Sequence, residues 1–217
     1  MIALALPLLL LASAPVLEDF PPVSPGSVSP EIAGAADGSL WAVWIEKEDA
    51  PVVRAARLKG GTWSDPITIA KGEDGVANDA DIPQVAALTD GSVVVQWMSR
   101  GAGGAASMLV ARSKDGRTFA KPVPLGKPSK GERGFARFWS EGGTFRAAWL
   151  EDGQLLSAPW GDGKFGEATV VDPRVCECCQ LSVAATSGVA LIAYRDRSDD
   201  EIRETIENNQ LRLLRER

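Results

Sequence analysis

The chain predicts an all-β fold: a β-propeller of four-stranded antiparallel blades, with about four blade units present. Three observations carry that expectation. A turn glycine stands six positions before an aromatic residue four times over, as Gly38 to Trp44, Gly91 to Trp97, Gly143 to Trp149 and Gly188 to Tyr194. The aromatics advance by 53, 52 and 45 residues (97 − 44, 149 − 97, 194 − 149), and periods of this length suit propeller blades. Short apolar runs separated by turn residues fill each interval, in a chain of 217 residues that holds 22 Gly and 14 Pro.

Each unit opens on an incoming strand. Pro30-Glu31-Ile32-Ala33 leads to the first turn as Pro83-Gln84-Val85-Ala86 leads to the second, again 53 residues apart (83 − 30). The turns read Asp37-Gly38-Ser39-Leu40, Asp90-Gly91-Ser92-Val93, Gly142-Gly143-Thr144-Phe145 and Ser187-Gly188-Val189-Ala190. Glycine supplies the positive φ that a tight hairpin needs and other residues resist. The second strand then runs to the aromatic, whose periodicity marks a buried core position. A third strand follows at 52–58, 108–112 and 154–158. Next comes a second turn: Gly61-Thr62-Trp63 with Pro66, Gly116-Arg117-Thr118-Phe119 with Pro122, and Gly163-Lys164-Phe165 with Ala168. A fourth strand closes the unit at 67–69, 123–125 and 169–171. Unit four shows only its first half.

The remaining segments divide the chain. Residues 1–17 read as a signal peptide or hydrophobic leader: 2–11 are apolar, and Ala12-Ser13-Ala14 gives a small-x-small cleavage pattern. No Lys or Arg precedes that core and Pro15 follows the cleavage pattern, so an uncleaved leader or a mis-assigned start stays open. The stretch is too short for a stable membrane span, and the expected location is secreted or periplasmic. Residues 18–203 are the blades of one domain. Residues 204–217 form a charged tail with Ile206, Leu211 and Leu214 at helix-like spacing. Net charge is 23 − 29 = −6 with no basic stripe, which argues against nucleic acid as a partner. Charged loops on such a fold are presented around the central channel, so a carbohydrate or protein ligand is the expected partner. An incomplete ring leaves two apolar blade faces, which predicts self-association and a truncated or frameshifted reading frame. No cofactor is implied.

The densest chemistry lies in unit four. Cys176, Cys178 and Cys179 are all the cysteines of the chain, within Arg174-Val175-Cys176-Glu177-Cys178-Cys179-Gln180. In an oxidising compartment two of them pair and one is left over. Three soft thiolates also suit copper(I) or zinc, though the chain has no histidine to add and no metal is assigned. These two readings stay open beside a third, an incidental cluster of reduced thiols. Arg195, Asp196, Arg197, Asp199 and Asp200 follow the last aromatic and form the candidate ligand-binding loop. The plainer reading is that they pair with one another on a solvated surface.

The second turns resemble the Asp-box of sialidase-type propellers, whose usual form is Ser-x-Asp-x-Gly-x-Thr-Trp. Ser113, Asp115, Gly116, Thr118 and Phe119 carry the resemblance, one residue short between Asp and Gly. It implies a structural turn in which Asp and Thr cap backbone amides and the aromatic packs between strands. The segment 176–203 is similar to a group of exported bacterial sialidase-like proteins in which a Cys-x-Cys-Cys-Gln element precedes Tyr-Arg-Asp-Arg-Ser-Asp-Asp-Glu-Ile-Arg and further blades follow. The resemblance implies part of a six-bladed propeller. Sialidases bind the substrate carboxylate with three arginines, and use a Tyr nucleophile with a Glu and an Asp acid/base. Here the family's Arg-Ile-Pro motif reads Asp81-Ile82-Pro83, and the only tyrosine, Tyr194, occupies the repeat's core position. The expected function is therefore an exported glycan- or protein-binding module, or an incomplete fragment, without catalysis. The alternative is an exo-α-sialidase-type glycoside hydrolase acting on sialylated or related acidic glycans, with its catalytic residues unassigned.

Overall fold

Each repeat unit folds as one antiparallel sheet. The computed structural model describes residues 21, 23–72, 82–100, 106–126, 133–186, 189–197 and, in backbone, 211–215. The leader, the turn at 187–188, Asp81, Asp199 and Asp200 lie outside the described residues. Unit one holds β1 (Val28–Gly34), β2 (Leu40–Glu46), β3 (Val52–Lys59), β4 (Thr62–Trp63) and β5 (Ile67–Lys71). Unit two holds β6 (Gln84–Ala87), β7 (Val93–Arg100), β8 (Ala106–Ser113) and β9 (Val123–Pro124). Unit three holds β10 (Arg133–Glu141), β11 (Thr144–Glu151), β12 (Gln154–Gly161), β13 (Lys164–Phe165) and β14 (Thr169–Asp172). Unit four holds β15 (Ser182–Thr186), β16 (Val189–Arg195) and β17 (Leu211–Arg215).

The four-stranded blade of the sequence reading is present, with one addition. In units one and three the second turn folds back as a two-residue strand, so β4 and β5 both pair with β3, and β13 and β14 both pair with β12. The tail departs from its expected helical spacing: Leu211–Arg215 is a strand, antiparallel to β16 with Tyr194 opposite Arg212. The backbone groups on the far edge of β16 need partners, and a strand satisfies them where a helix cannot.

The four aromatics hold equivalent places. Trp44, Trp97, Trp149 and Tyr194 are at most 1% exposed, each one residue beyond the ladder partner of the first strand: Val43, Gln96, Ala148 and Ala193. The core lies between sheets, not within one. Trp97, Val93 and Val95 of unit two pack on Trp41, Val43 and Val53 of unit one. Trp149, Phe145 and Ala147 of unit three pack on Val94, Met98 and Met108 of unit two. Tyr194, Ala190 and Ile192 of unit four pack on Ala148, Leu150 and Leu155 of unit three. Each aromatic thus turns toward the preceding unit. Trp44 has Ala42, Ala56 and Trp63 of its own sheet around it instead. Stacking buries both faces of the second strands, which is why 41–45, 93–98 and 147–150 are almost continuously apolar.

The first strands are the inner ones. β1 neighbours β6, β6 neighbours β10 and β10 neighbours β15, so four units run side by side around a common inner side. Two ends follow from this: a turn end, where the first strand hands over to the second, and a front end, where the first strands begin and the second strands finish. Exposed large apolar side chains include Ile32 and Leu40 on unit one and Leu191 on unit four.

Candidate functional site

At the turn end the polar side chains are consumed by the hairpins. The Asp37 carboxylate accepts hydrogen bonds from the Ser39 amide and hydroxyl, and Arg57 and Lys59 reach its other oxygen at 2.6 and 3.0 Å. Asp90 is bonded to Ser92 and Arg112 in the same way. The Ser39 and Ser92 hydrogen bonds, helped by these cations, hold both carboxyls below the usual aspartate range. Asp115 accepts the amides of Thr118 and Arg117 and the Ser113 hydroxyl, each at 2.8 Å, and is lowered chiefly by the Thr118 and Arg117 amides. Gly116, with φ +67°, rests on the Trp41 ring; a Cβ there would come within 3.0 Å of it. These groups close turns.

The front end is built differently. Two residues beyond each aromatic stand Glu46, Ser99, Glu151 and Asp196, polar and buried in all four units. Glu46 accepts the Trp44 indole N–H at 3.3 Å and pairs with Arg54 at 2.8 Å. Burial opposes its ionisation, but Arg54 and the indole outweigh burial and leave its pKa lowered. Glu151 accepts the Trp149 indole N–H at 2.8 Å and pairs with Arg133 at 2.6 Å. In unit four the Tyr194 hydroxyl donates to Asp172 at 2.7 Å. Three of the four core aromatics, Trp44, Trp149 and Tyr194, are therefore anchored by acids at this end.

Inside that shell the first strands carry a mixed polar ring. Register places Glu31, Gln84, Arg137 and Ser182 at one equivalent position, opposite Val43, Gln96, Ala148 and Ala193. Bulges in β1 and β10 turn two of them. The irregularities lie between Val28 and Glu31 and between Gly134 and Arg137, with Ser29 and Phe135 at φ 55° and 56°. Non-glycine residues seldom adopt that conformation, and bulges re-aim the side chains beside them. The Arg137 guanidinium donates to the Gln180 side chain of unit four at 3.2 Å and to its neighbour Ala136 at 2.9 Å. Burial lowers its pKa, and the Glu31 carboxylate of unit one works against that. Arg137 thus joins unit three to unit four at the first strands, the strands that neighbour one another from unit to unit. Arginine stays charged throughout the working pH range.

The predicted loop meets the cysteines. Arg195 places one guanidinium nitrogen 4.0 Å from Cys176 Sγ and 3.9 Å from Cys179 Sγ. Asp196 is buried and bridges in backbone to Val175, while Arg197 is exposed and donates its amide to Arg174 at 3.2 Å. Cys176, Cys178 and Cys179 are free cysteines, buried, exposed and half-buried in that order.

Sequence reasoning missed Arg137, Glu46 and Glu151. The signal was present: Glu31, Gln84 and Arg137 recur at 53 (84 − 31, 137 − 84) and Ser182 at 45 (182 − 137), the repeat's own spacing. The acids two places past the aromatics share that period.

No protein-family model matches the chain, and no curated protein does. Solved structures resemble it. The α-L-arabinanase of Penicillium chrysogenum, solved with arabinobiose, has a TM-score of 0.58 at 16% identity, over 90% of this chain and 64% of that one. The α-L-arabinofuranosidase Arb93A of Fusarium graminearum, with an iminosugar inhibitor, gives 0.57 at 17%, over 81% and 59%. A Hadza microbial sialidase gives 0.50 at 17%, over 78% and 42%. The chain thus spans about three fifths of the length of the first two of these structures. At such identity the likeness shows the fold alone: the sheets are β-propeller blades.

Proposed function

We propose that this protein is a carbohydrate-binding propeller, acting outside the cytoplasm, that takes an acidic glycan at the front end of its inner side without hydrolysing it. The observation that carries the proposal is Arg137, which stands at a bulge of β10 and donates to the Gln180 side chain of the next unit. A planar guanidinium beside a side-chain amide offers donors and an acceptor suited to a sugar carboxylate and its hydroxyls. The structural likeness to propellers named as an α-L-arabinanase, an α-L-arabinofuranosidase and a sialidase supports a glycan as ligand class. Arg195 and Arg197 stand on the neighbouring unit as further contacts, with Asp196 fixing the loop.

The exo-sialidase reading has less support. Its nucleophile would be Tyr194, which is 1% exposed and bonded to Asp172. A buried hydroxyl in the core position has no access to a substrate.

Titration calorimetry with sialyllactose and with neutral arabinobiose, on wild type and Arg137→Ala, tests the proposal. The expected result is sialyllactose binding that the substitution weakens about tenfold or more, as loss of a charge-assisted hydrogen bond implies, with no release of sugar. Binding that ignores the substitution, or none to either sugar, overturns it. Release of sialic acid abolished by Arg137→Ala would give the function to the hydrolase reading instead.

A further inference from the structure

We propose that Cys176, Cys178 and Cys179 form a binding site for one thiophilic d10 metal ion, zinc(II) or copper(I). The three Sγ atoms lie within 4.8 Å of one another, so all three donors converge on one point. A disulfide would use two and strand the third; a metal uses all three. The donors differ in access: Cys176 is buried, Cys179 half-buried and Cys178 exposed, which gives the site a fixed floor and an open mouth. Thiolates select zinc and copper(I) over hard cations.

The loop is held as a ligand loop needs to be. The Val175 amide donates to Gly153 O at 2.7 Å, the Cys176 amide to Arg195 O at 2.9 Å and the Arg197 amide to Arg174 O at 3.2 Å. Val175 and Asp196 form a β-bridge between the last two. Cys176 is thereby fastened to unit three on one side and to the end of β16 on the other. The Arg195 guanidinium at 3.9–4.0 Å from two of the sulfurs supplies a cation beside the thiolates. A divalent ion on three thiolates leaves one net negative charge, which that cation offsets.

Cys178 Sγ is 2.6 Å from Cys176 Sγ and 3.8 Å from Cys179 Sγ. Two sulfurs on one tetrahedral zinc stand about 3.8 Å apart, from zinc–sulfur bonds of about 2.3 Å. Binding therefore moves Cys178 outward from Cys176 by about 1 Å, a change an exposed side chain makes by rotation. Each thiol loses its proton to solvent as its metal–sulfur bond forms, and zinc keeps its fourth position for water.

The test uses the whole chain, reduced under nitrogen, incubated separately with zinc(II) and with a copper(I)–acetonitrile complex, then desalted. Elemental analysis should find one ion per chain with at least one of the two metals, and the ion should protect all three thiols from alkylation. Cys178→Ser, at the exposed position, should lower retention at least tenfold, and Cys176→Ser should abolish it. Arg195→Ala should weaken affinity by about 10- to 100-fold, as loss of a supporting contact around a metal does. Neither metal retained by the fully reduced chain, or retention unchanged in Cys178→Ser, overturns the site.

Discussion

At the turn end, units one and two are alike down to individual hydrogen bonds. Asp37 holds Ser39 and takes Arg57, with Arg57 Nε on the Ser39 hydroxyl at 3.0 Å; Asp90 holds Ser92 and takes Arg112, with Arg112 Nε on the Ser92 hydroxyl at 3.0 Å. At the front end the same fold positions carry different chemistry: Glu31, Gln84, Arg137 and Ser182 on the first strands. Repetition of one polar network serves a requirement that every blade shares, the closing of its first hairpin. Divergence at equivalent positions answers no shared requirement. It marks the end where one particular set of groups is wanted, as loops and strand ends on a rigid scaffold commonly do.

The core between the two ends gives the largest effect. Trp97→Ala empties the contact between units one and two and should cost about 3–5 kcal/mol, read by urea unfolding. A loss below about 1 kcal/mol would show that the aromatic is not a blade anchor. Next comes the front-end acid shell. Glu151→Gln leaves the Arg133 guanidinium, 1% exposed in its side chain, beside a neutral amide. Breaking a buried pair from one side should cost about 3 kcal/mol, in the same assay. An unchanged midpoint would mean that the pair is solvated and that the two ends are alike in burial.

The smallest effect is at the turn end. Asp90 is 54% exposed in its side chain, so Asp90→Asn should cost less than about 1 kcal/mol and leave sialyllactose binding intact. A large loss of binding would erase the distinction between the ends. The same carboxyl sets an acid signature. Glu46 and Asp90 both have folded pKa values below their ordinary ones. Their contribution is fully present above the unfolded-state values near 4 and is lost as pH falls through the lowered folded values. Urea midpoints should therefore drop as pH is taken from about 6 to about 3, less so in Asp90→Asn. Stability that is flat over that window would count against the paired carboxylates at both ends.

Much of this was legible beforehand because blade architecture is written as a period. The six-residue gap from turn glycine to aromatic reports a hairpin of fixed length feeding a buried position, and both are local demands on the chain. The front-end groups were harder to see. Glu46 and Glu151 read as ordinary charged residues at strand ends until their partners Arg54 and Arg133 are brought alongside, from the third strand in one unit and the first in the other. Arg137 reads as one arginine among many. Only the bulge at Phe135, which no residue type in that stretch announces, and the arrival of Gln180 from the next unit set it apart.

The strand order, the turns and the aromatic core positions were determined by the sequence alone, since alternation, glycine placement and burial are properties of short segments and of their repetition. Tertiary structure decided which polar groups share a site. Gln180 and Arg137 are 43 residues apart, and Arg195 meets Cys176 across 19. Such neighbours arise because separate blades present their inner strands and strand ends to one side, and charge and hydrogen-bond complementarity between them has no counterpart in any local pattern. The tail shows the same limit: its leucine spacing favoured a helix, and the open edge of β16 made 211–215 a strand.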